Sequence, residues 1–169
     1  MSHGTGLAQL KKQKTAKKIN AALALALLTS LIALGVLATS GYVGWNLTHP
    51  KREALNTTPA EAGLDYNDIQ FSSREDNLKL SGWLLKSPAN AKTVILAHGY
   101  RKNRLQNDVP ALAIAKNLID EGCNVVMFDF RNCGISEGNL TSVGQYEVRD
   151  LLGAVDYVQS QPELNQKII

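Results

Sequence analysis

The chain has 169 residues, 18 basic and 15 acidic side chains, a net charge of +3, and is 44% hydrophobic and 20% charged. Such a composition excludes a disordered or fibrous protein, and two cysteines are too few for a disulfide scaffold and lack zinc spacing. The charge is unevenly spread: residues 1–18 hold five lysines and no acid, residues 19–48 no formal charge, and residues 49–169 hold 13 basic and 15 acidic side chains. The positive excess therefore belongs to an N-terminal tail, and no nucleic-acid partner is expected for the slightly acidic body.

Behind the basic tail (1–18), residues 19–45 form one apolar segment, densest over 21–38 (AALALALLTSLIALGVLA). A bilayer core takes about 20 apolar residues in a helix. Tyr42 and Trp45 stand where interfacial aromatics anchor such a helix, and Lys11, Lys12, Lys14, Lys17 and Lys18 put the N-terminus in the cytosol. The expectation is a single-pass signal-anchor in the cell membrane, contacting lipid through 19–45, with the body on the extracytoplasmic side. A cleaved signal, with Ala38-Thr39-Ser40 as the cleavage site and a secreted product, is the alternative; its usual h-region of about 7–15 residues is shorter than this block. A buried core helix would be shorter and amphipathic.

Residues 46–66 are polar, contain two prolines in a stretch without sustained period, and read as a linker with at most one helical turn. The body spans 67–169. DIQFSS (68–73) and LKLSGWLL (78–85) are strands of a hairpin across a polar four-residue turn, the second with Leu78, Leu80, Gly82 and Leu84 alternating against Lys79, Ser81, Trp83 and Leu85. TVILA (93–97) is short, continuous and apolar, as buried parallel strands are. Ala111, Ile114, Ala115, Leu118 and Ile119 fall on one face of a helix over 109–121, with Pro110 in its first turn and Gly122 at its end. CNVVMFDF (123–130) is a second buried strand; Val148, Leu151, Leu152 and Val155 align a second helix over 144–160. A loop follows over 159–166, and residues 167–169 begin another strand. The order is hairpin, then β-α-β-α, an α/β fold with a parallel sheet.

Two motifs carry a resemblance. One is Val94-Ile95-Leu96-Ala97-His98-Gly99-Tyr100, a strand ending in His-Gly; the other is Val125 to Gly138, VVMFDFRNCGISEG, one helix later. In this order they resemble the α/β-hydrolase superfamily, nearest its membrane-anchored serine esterase, lipase and peptidase-like branches, over roughly 66–169. The resemblance implies the first half of the hydrolase sheet, ending before the nucleophile elbow. It also implies that the Tyr100 backbone N–H serves the oxyanion hole, a donor worth about 2.7–4 kcal/mol. His98 and Gly99 would be structural parts of that loop, His98 not being the base; Asp129, Arg131, Gly134, Ser136 and Gly138 would be structural parts of the second.

Gly134-Ile135-Ser136-Glu137-Gly138 matches G-x-S-x-G literally, yet Ser136 is a poor nucleophile candidate. An elbow serine stands on a sharp turn directly between strand and helix, and the chain order is Ser, acid, His. The three histidines, His3, His49 and His98, all precede Ser136, and helical periodicity resumes only near Gly144. The resemblance assigns the elbow to the strand begun at 167–169, so serine, acid and histidine would lie beyond Ile169. It also puts that strand beside the His-Gly strand, whose other neighbour is 123–130. Without it a central strand would be an open edge, and the chain alone is expected to fold poorly. Asp129 and Arg131 are expected to tie the loop down through charge-assisted hydrogen bonds. Asp150 and Asp156 read as solvated helix positions, and Arg101, Lys102 and Arg104 as a solvated basic cluster able to attract an anion. Cys123 and Cys133 read as two unrelated thiols, with a disulfide outside the cytosol as the alternative. Asn46, Asn56 and Asn139 each open a glycosylation sequon.

No cofactor or metal site is expected. The functional expectation is the N-terminal portion of a membrane-anchored hydrolase acting on a small ester or amide, inactive alone. A non-catalytic, membrane-tethered binding protein is the alternative. In a third arrangement a separate polypeptide supplies the missing strands.

Overall fold

The computed structural model describes residues 3–164 and 167–169, with side chains from residue 12 onward. The Lys11 side chain and the end of the expected 159–166 loop fall outside the described residues. The chain forms two compact units, Met1–Trp45 and Asn46–Ile169.

Helix α1 (His3–Thr48) runs through the first unit and ends just inside the second. Its stretch Lys12–Thr48 is long and apolar enough to cross a membrane by length and composition. At 1.5 Å per residue, 19–45 spans about 40 Å, more than the about 30 Å of a hydrocarbon core. Over 19–45 the helix is apolar all round, with Leu23, Leu31, Leu34, Leu37 and Trp45 all exposed. Its hydroxyls bond within the helix: Thr29 and Ser30 donate to the Ala26 carbonyl at 3.0 and 2.8 Å, and Thr39 to that of Gly35 at 2.9 Å.

The second unit is a four-stranded sheet between helices. Strands β1 (Asn67–Ser72), β2 (Lys79–Leu85), β3 (Lys92–Ala97) and β4 (Cys123–Phe128) lie in the order β1-β2-β4-β3, with α2 (Ala111–Asp120) and α3 (Glu147–Ser160) between and after them in the chain. β2 is antiparallel to β1 and β4, while β3 and β4 are parallel, Val94 opposite Val125 and Leu96 opposite Met127. Both faces are covered, which is why β4 is buried at every position. Trp83, Leu85, Val125 and Met127 pack with Ala115 of α2; Ile69, Leu84 and Val126 pack with Val158 of α3. The alternation read in β2 therefore does not separate core from solvent: between two strands and under a helix on each face, β2 is buried from Leu80 to Leu85.

The expected helix faces are corrected in part. In α2, Ala115 is buried but Ile114 is 39% exposed, beside the end of β3. In α3 the buried positions are Asp150, Gly153, Ala154 and Val158, whereas Val148 and Leu151 are exposed. Backbone proximity selects that face: a Cβ on Gly153 would meet the Ser72 carbonyl, so only a glycine admits the helix this close to β1. The incipient strand exists. Thr93 N–H donates to the Lys167 carbonyl, Ile169 N–H to that of Thr93 and Ile95 N–H to that of Ile169, each at 3.0 Å, on the edge of β3 away from β4. That edge is thus partly bonded, not bare as the sequence suggested.

Residues 46–66 lie along the second unit. Pro50, Pro59 and Leu64 are buried, one 3-10 turn forms at Pro59–Ala62, and Asn103 Nδ2 donates to the Glu53 and Ala54 carbonyls at 3.2 and 3.0 Å.

Candidate active site

Parallel β3 and β4 end side by side, so the turns after Ala97 and Phe128 face each other. A cavity of about 270 Å³ lies between them, lined among others by Gly99, Tyr100, Phe130, Cys133, Thr141 and Val143.

His98 joins the two turns. Phe130 N–H donates to its Nε2 at 3.0 Å, and its Nδ1 lies 2.8 Å from the Gly99 carbonyl. An accepting Nε2 fixes the tautomer with the proton on Nδ1. Burial holds the ring below the ordinary histidine pKa, outweighing the Gly99 carbonyl and the Asp129 charge that favour the cation. With both nitrogens engaged, this neutral imidazole is a strut.

Gly99 N–H donates to Gln106 Oε1 at 2.7 Å. The next amide, Tyr100 N–H, donates to nothing among the described residues. Arg101 turns the chain at φ 64, and its guanidinium lies 5.9 Å over the Tyr100 ring. The Tyr100 hydroxyl donates to the Leu47 carbonyl. A backbone donor held by a strained turn at the end of a strand can stabilise an anionic oxygen without reorganising; β3 itself, expected to be buried, is buried only at Thr93.

The second turn is fixed by Asp129 and Arg131, each with its own partner. Asp129 is fully buried and accepts from Arg104 N–H at 2.8 Å, Arg104 Nη2 at 2.7 Å and Ile135 N–H at 3.1 Å. Arg104, expected in solvent, is buried against this carboxylate and lies 4.7 Å over the Trp83 ring. Of the other two in that cluster, Lys102 pairs with Asp108 at 3.4 Å and Arg101 is exposed. Gly134, at φ 43, passes so close that a Cβ there would overlap the Asp129 carboxylate. Gly138, at φ 105, ends the turn.

Arg131 reaches into α3. Asp150 accepts its backbone N–H at 2.9 Å, Nε at 3.0 Å and Nη2 at 2.8 Å. Asp76 and Ser73 of the hairpin turn accept Nη2 at 2.6 and 3.1 Å. Burial alone would lower the arginine's pKa, but the two carboxylates outweigh it and the guanidinium is held charged. Asp150 is therefore not solvated: it is fully buried and locks α3 to the second turn. Asp156, the other acid expected in solvent, is exposed and pairs with Arg74 at 2.5 Å.

Ser136 is fully buried. Its hydroxyl donates to the Asp129 carbonyl at 2.6 Å and accepts from Ser81 N–H at 2.9 Å, extending the β2–β4 ladder by a side chain. Proton and lone pair are both committed to backbone, and neither partner is an imidazole. Cys123 and Cys133 are free thiols, both buried; burial, with help from Asp129, pushes Cys133 up to about 12. At the cavity's rim Glu147 accepts from Ser142 N–H at 2.8 Å, Ser142 Oγ at 2.6 Å and Gly144 N–H at 2.7 Å. Burial pushes this carboxyl up, but those bonds together hold it below the ordinary value. Among the described residues no group of His, Cys, Asp and Glu could hold a metal ion.

Sequence reasoning took Arg104 and Asp150 for solvated positions and passed over Gln106 and Glu147. One signal was legible: Asp150 shares a helical face with Gly153, Ala154 and Val158, and a lone acid on a small-residue face is a buried acid with a partner. Arg104 and Gln106 lie in an aperiodic loop, where no period announces burial.

No protein-family model matches the chain. It is similar to the uncharacterized protein YfhR of Salmonella typhi, 31% identical over 122 residues, covering 69% of this chain and 38% of that protein. It is also 31% identical over 106 residues to the thiohydrolase aneE of Aspergillus aculeatus, covering 62% of this chain and 32% of that one. Among solved structures the esterase Pf2001 of Pyrococcus furiosus superposes with a TM-score of 0.64 at 37% identity, over 72% of this chain and 45% of that one. The α/β hydrolase GrgF of Penicillium shares the fold, with a TM-score of 0.53 at 24% identity over 62% of this chain and 36% of its own. The chain thus spans less than half the length of the relatives it matches. Strand order, the turns after β3 and β4 and these likenesses agree: the residues following α1 form part of an α/β-hydrolase fold.

Proposed function

We propose that this chain is the N-terminal portion of a membrane-anchored serine hydrolase that cleaves ester or amide bonds, its nucleophile being supplied by residues beyond Ile169. α1 anchors it through 19–45 with the N-terminus in the cytosol and the hydrolase part on the extracytoplasmic side. One observation carries the reading: Tyr100 N–H, unbonded among the described residues, lies in the turn that follows β3, a strand whose far edge pairs in parallel with residues 167–169. Thr93 is opposite Ile168, and parallel register advances both strands together. The continuation would therefore draw level with Ala97, the last residue of β3, about three positions past Ile169, close to the turn where the α/β-hydrolase resemblance expects the elbow serine. Attack of that serine oxygen on the carbonyl carbon, its proton passing to a histidine base, would leave an oxyanion to accept from Tyr100 N–H. The leaving alcohol or amine would take the proton back.

The test is active-site labelling with a fluorophosphonate probe. The 169-residue chain alone should remain unlabelled, while the protein recovered from native membranes by an antibody against residues 49–169 should be labelled on a serine outside them. Labelling at Ser136 would overturn the proposal; an unlabelled native protein would favour the tethered binding protein instead.

A further inference from the structure

We infer that residues 47–52 form a tie that holds the rim of the candidate site at the bilayer surface, and that the site consequently takes an amphiphilic ester resident in that interface. The inference rests on the anchored-hydrolase reading and deepens it. A plain tether would need no bonds to the site. Here the Leu47 carbonyl accepts from the Tyr100 hydroxyl, and the Thr48 carbonyl from Thr141 N–H at 2.8 Å. Arg52 grips the second turn, donating to the Ser136 and Gly138 carbonyls at 2.7 and 2.6 Å. Tyr100 and Thr141 both line the cavity. Pro50, buried within the stretch, stiffens it.

Chain length turns those bonds into a distance. Trp45, exposed at 64%, is the interfacial aromatic of the apolar segment, and two residue steps of about 3.8 Å separate it from Leu47. By connectivity alone, whatever the orientation of α1, the Leu47 carbonyl that holds Tyr100 is no more than about 8 Å along the chain from Trp45. A flexible linker of about 20 residues would instead allow a typical separation of about 25 Å.

The rim suits such a ligand. Val143, a β-branched residue at φ 56, lines the cavity; a strained apolar residue at such a place is an arrangement that packing alone does not favour. An acyl ester longer than the cavity leaves apolar chain outside, where hydrocarbon is its stable environment.

The test uses the whole native protein, of which this chain is the N-terminal portion, in phosphatidylcholine vesicles containing phosphatidylcholine with a diazirine on one long acyl chain. Two variants carry 5 or 20 Gly/Ser residues between Trp45 and Asn46, and near-UV circular dichroism of Trp83 checks their fold. The expected result is crosslinking to peptides 99–101 and 141–144 that falls stepwise with spacer length, at least tenfold for the longer one. A short-chain, water-soluble diazirine ester should label all three chains equally. Equal lipid crosslinking in all three, or none in a chain that resists alkaline carbonate extraction, would overturn the tie. Release by carbonate would overturn the anchor itself, a separately scored result.

Discussion

Asp150→Ala is the sharpest test of how the candidate site is held. The carboxylate is fully buried and takes Arg131's backbone N–H, Nε and Nη2 at 2.9, 3.0 and 2.8 Å. Removing one partner of a buried pair costs about 3–5 kcal/mol, because the other charge is left desolvated. Arg131 keeps Asp76 and Ser73 at 2.6 and 3.1 Å, which argues for the lower end, about 3 kcal/mol. For a urea m-value of about 1.5 kcal/mol/M the unfolding midpoint should fall by about 2 M, a large part of a total stability of about 5–15 kcal/mol. The assay is urea titration of the full chain in detergent micelles, followed by near-UV circular dichroism of buried Trp83. Asp150→Asn, which keeps the volume but loses the charge, should fall between wild type and Asp150→Ala. The Arg74–Asp156 pair, 39% and 49% exposed at the side chains, supplies the control, and Asp156→Asn should leave the midpoint unmoved. A shift for Asp150→Ala below about 0.3 M, equivalent to a surface substitution, would refute the argument that this pair locks α3 to the second turn.

Three further outcomes follow from the site. Ser136→Ala should destabilise by about 1–3 kcal/mol in the same urea assay, since Ser81 N–H loses its buried acceptor; an unchanged midpoint would remove the serine from the ladder. Because burial holds His98 below the ordinary histidine value of about 6.5, the unfolded chain takes up that proton first as pH falls. The stability linked to this ring should therefore be complete above about pH 6.5 and decline as pH drops through the lower folded value. A His98 ring that titrates by NMR at or above about 6.5 would contradict this. With its pKa pushed up to about 12, Cys133 should have about 10⁻⁴ of its thiol ionised at pH 8; iodoacetamide should modify it only after denaturation, as measured by intact mass, and rapid modification of the folded chain would count against the burial argument.

How much of this was legible in the sequence depends on the range of the interaction. The apolar helix, the hairpin, the two parallel strands and both following helices are written in local periodicity, because burial of one face or of a whole strand constrains consecutive residues. The turns after β3 and β4 were legible as motifs, since a Gly134 pressed against Asp129 and a left-handed Gly138 admit few alternatives. Partners were not legible. Asp129 with Arg104, Arg131 with Asp150, Ser136 with Ser81, and Leu47 with Tyr100 are contacts across 25, 19, 55 and 53 residues, set by which elements become neighbours and by nothing local. For the same reason α3 turned a different face inward than its apolar pattern suggested: Gly153's close approach to Ser72 and Asp150's pairing with Arg131 fixed its rotation, leaving Val148 and Leu151 exposed. By itself the sequence determined the elements, their order and the charge asymmetry about the apolar segment; the tertiary structure decided that Arg104 and Asp150 are buried struts, that Ser136 belongs to the sheet, and that residues 47–52 are bonded to the site, because only folding brings those groups within reach of one another.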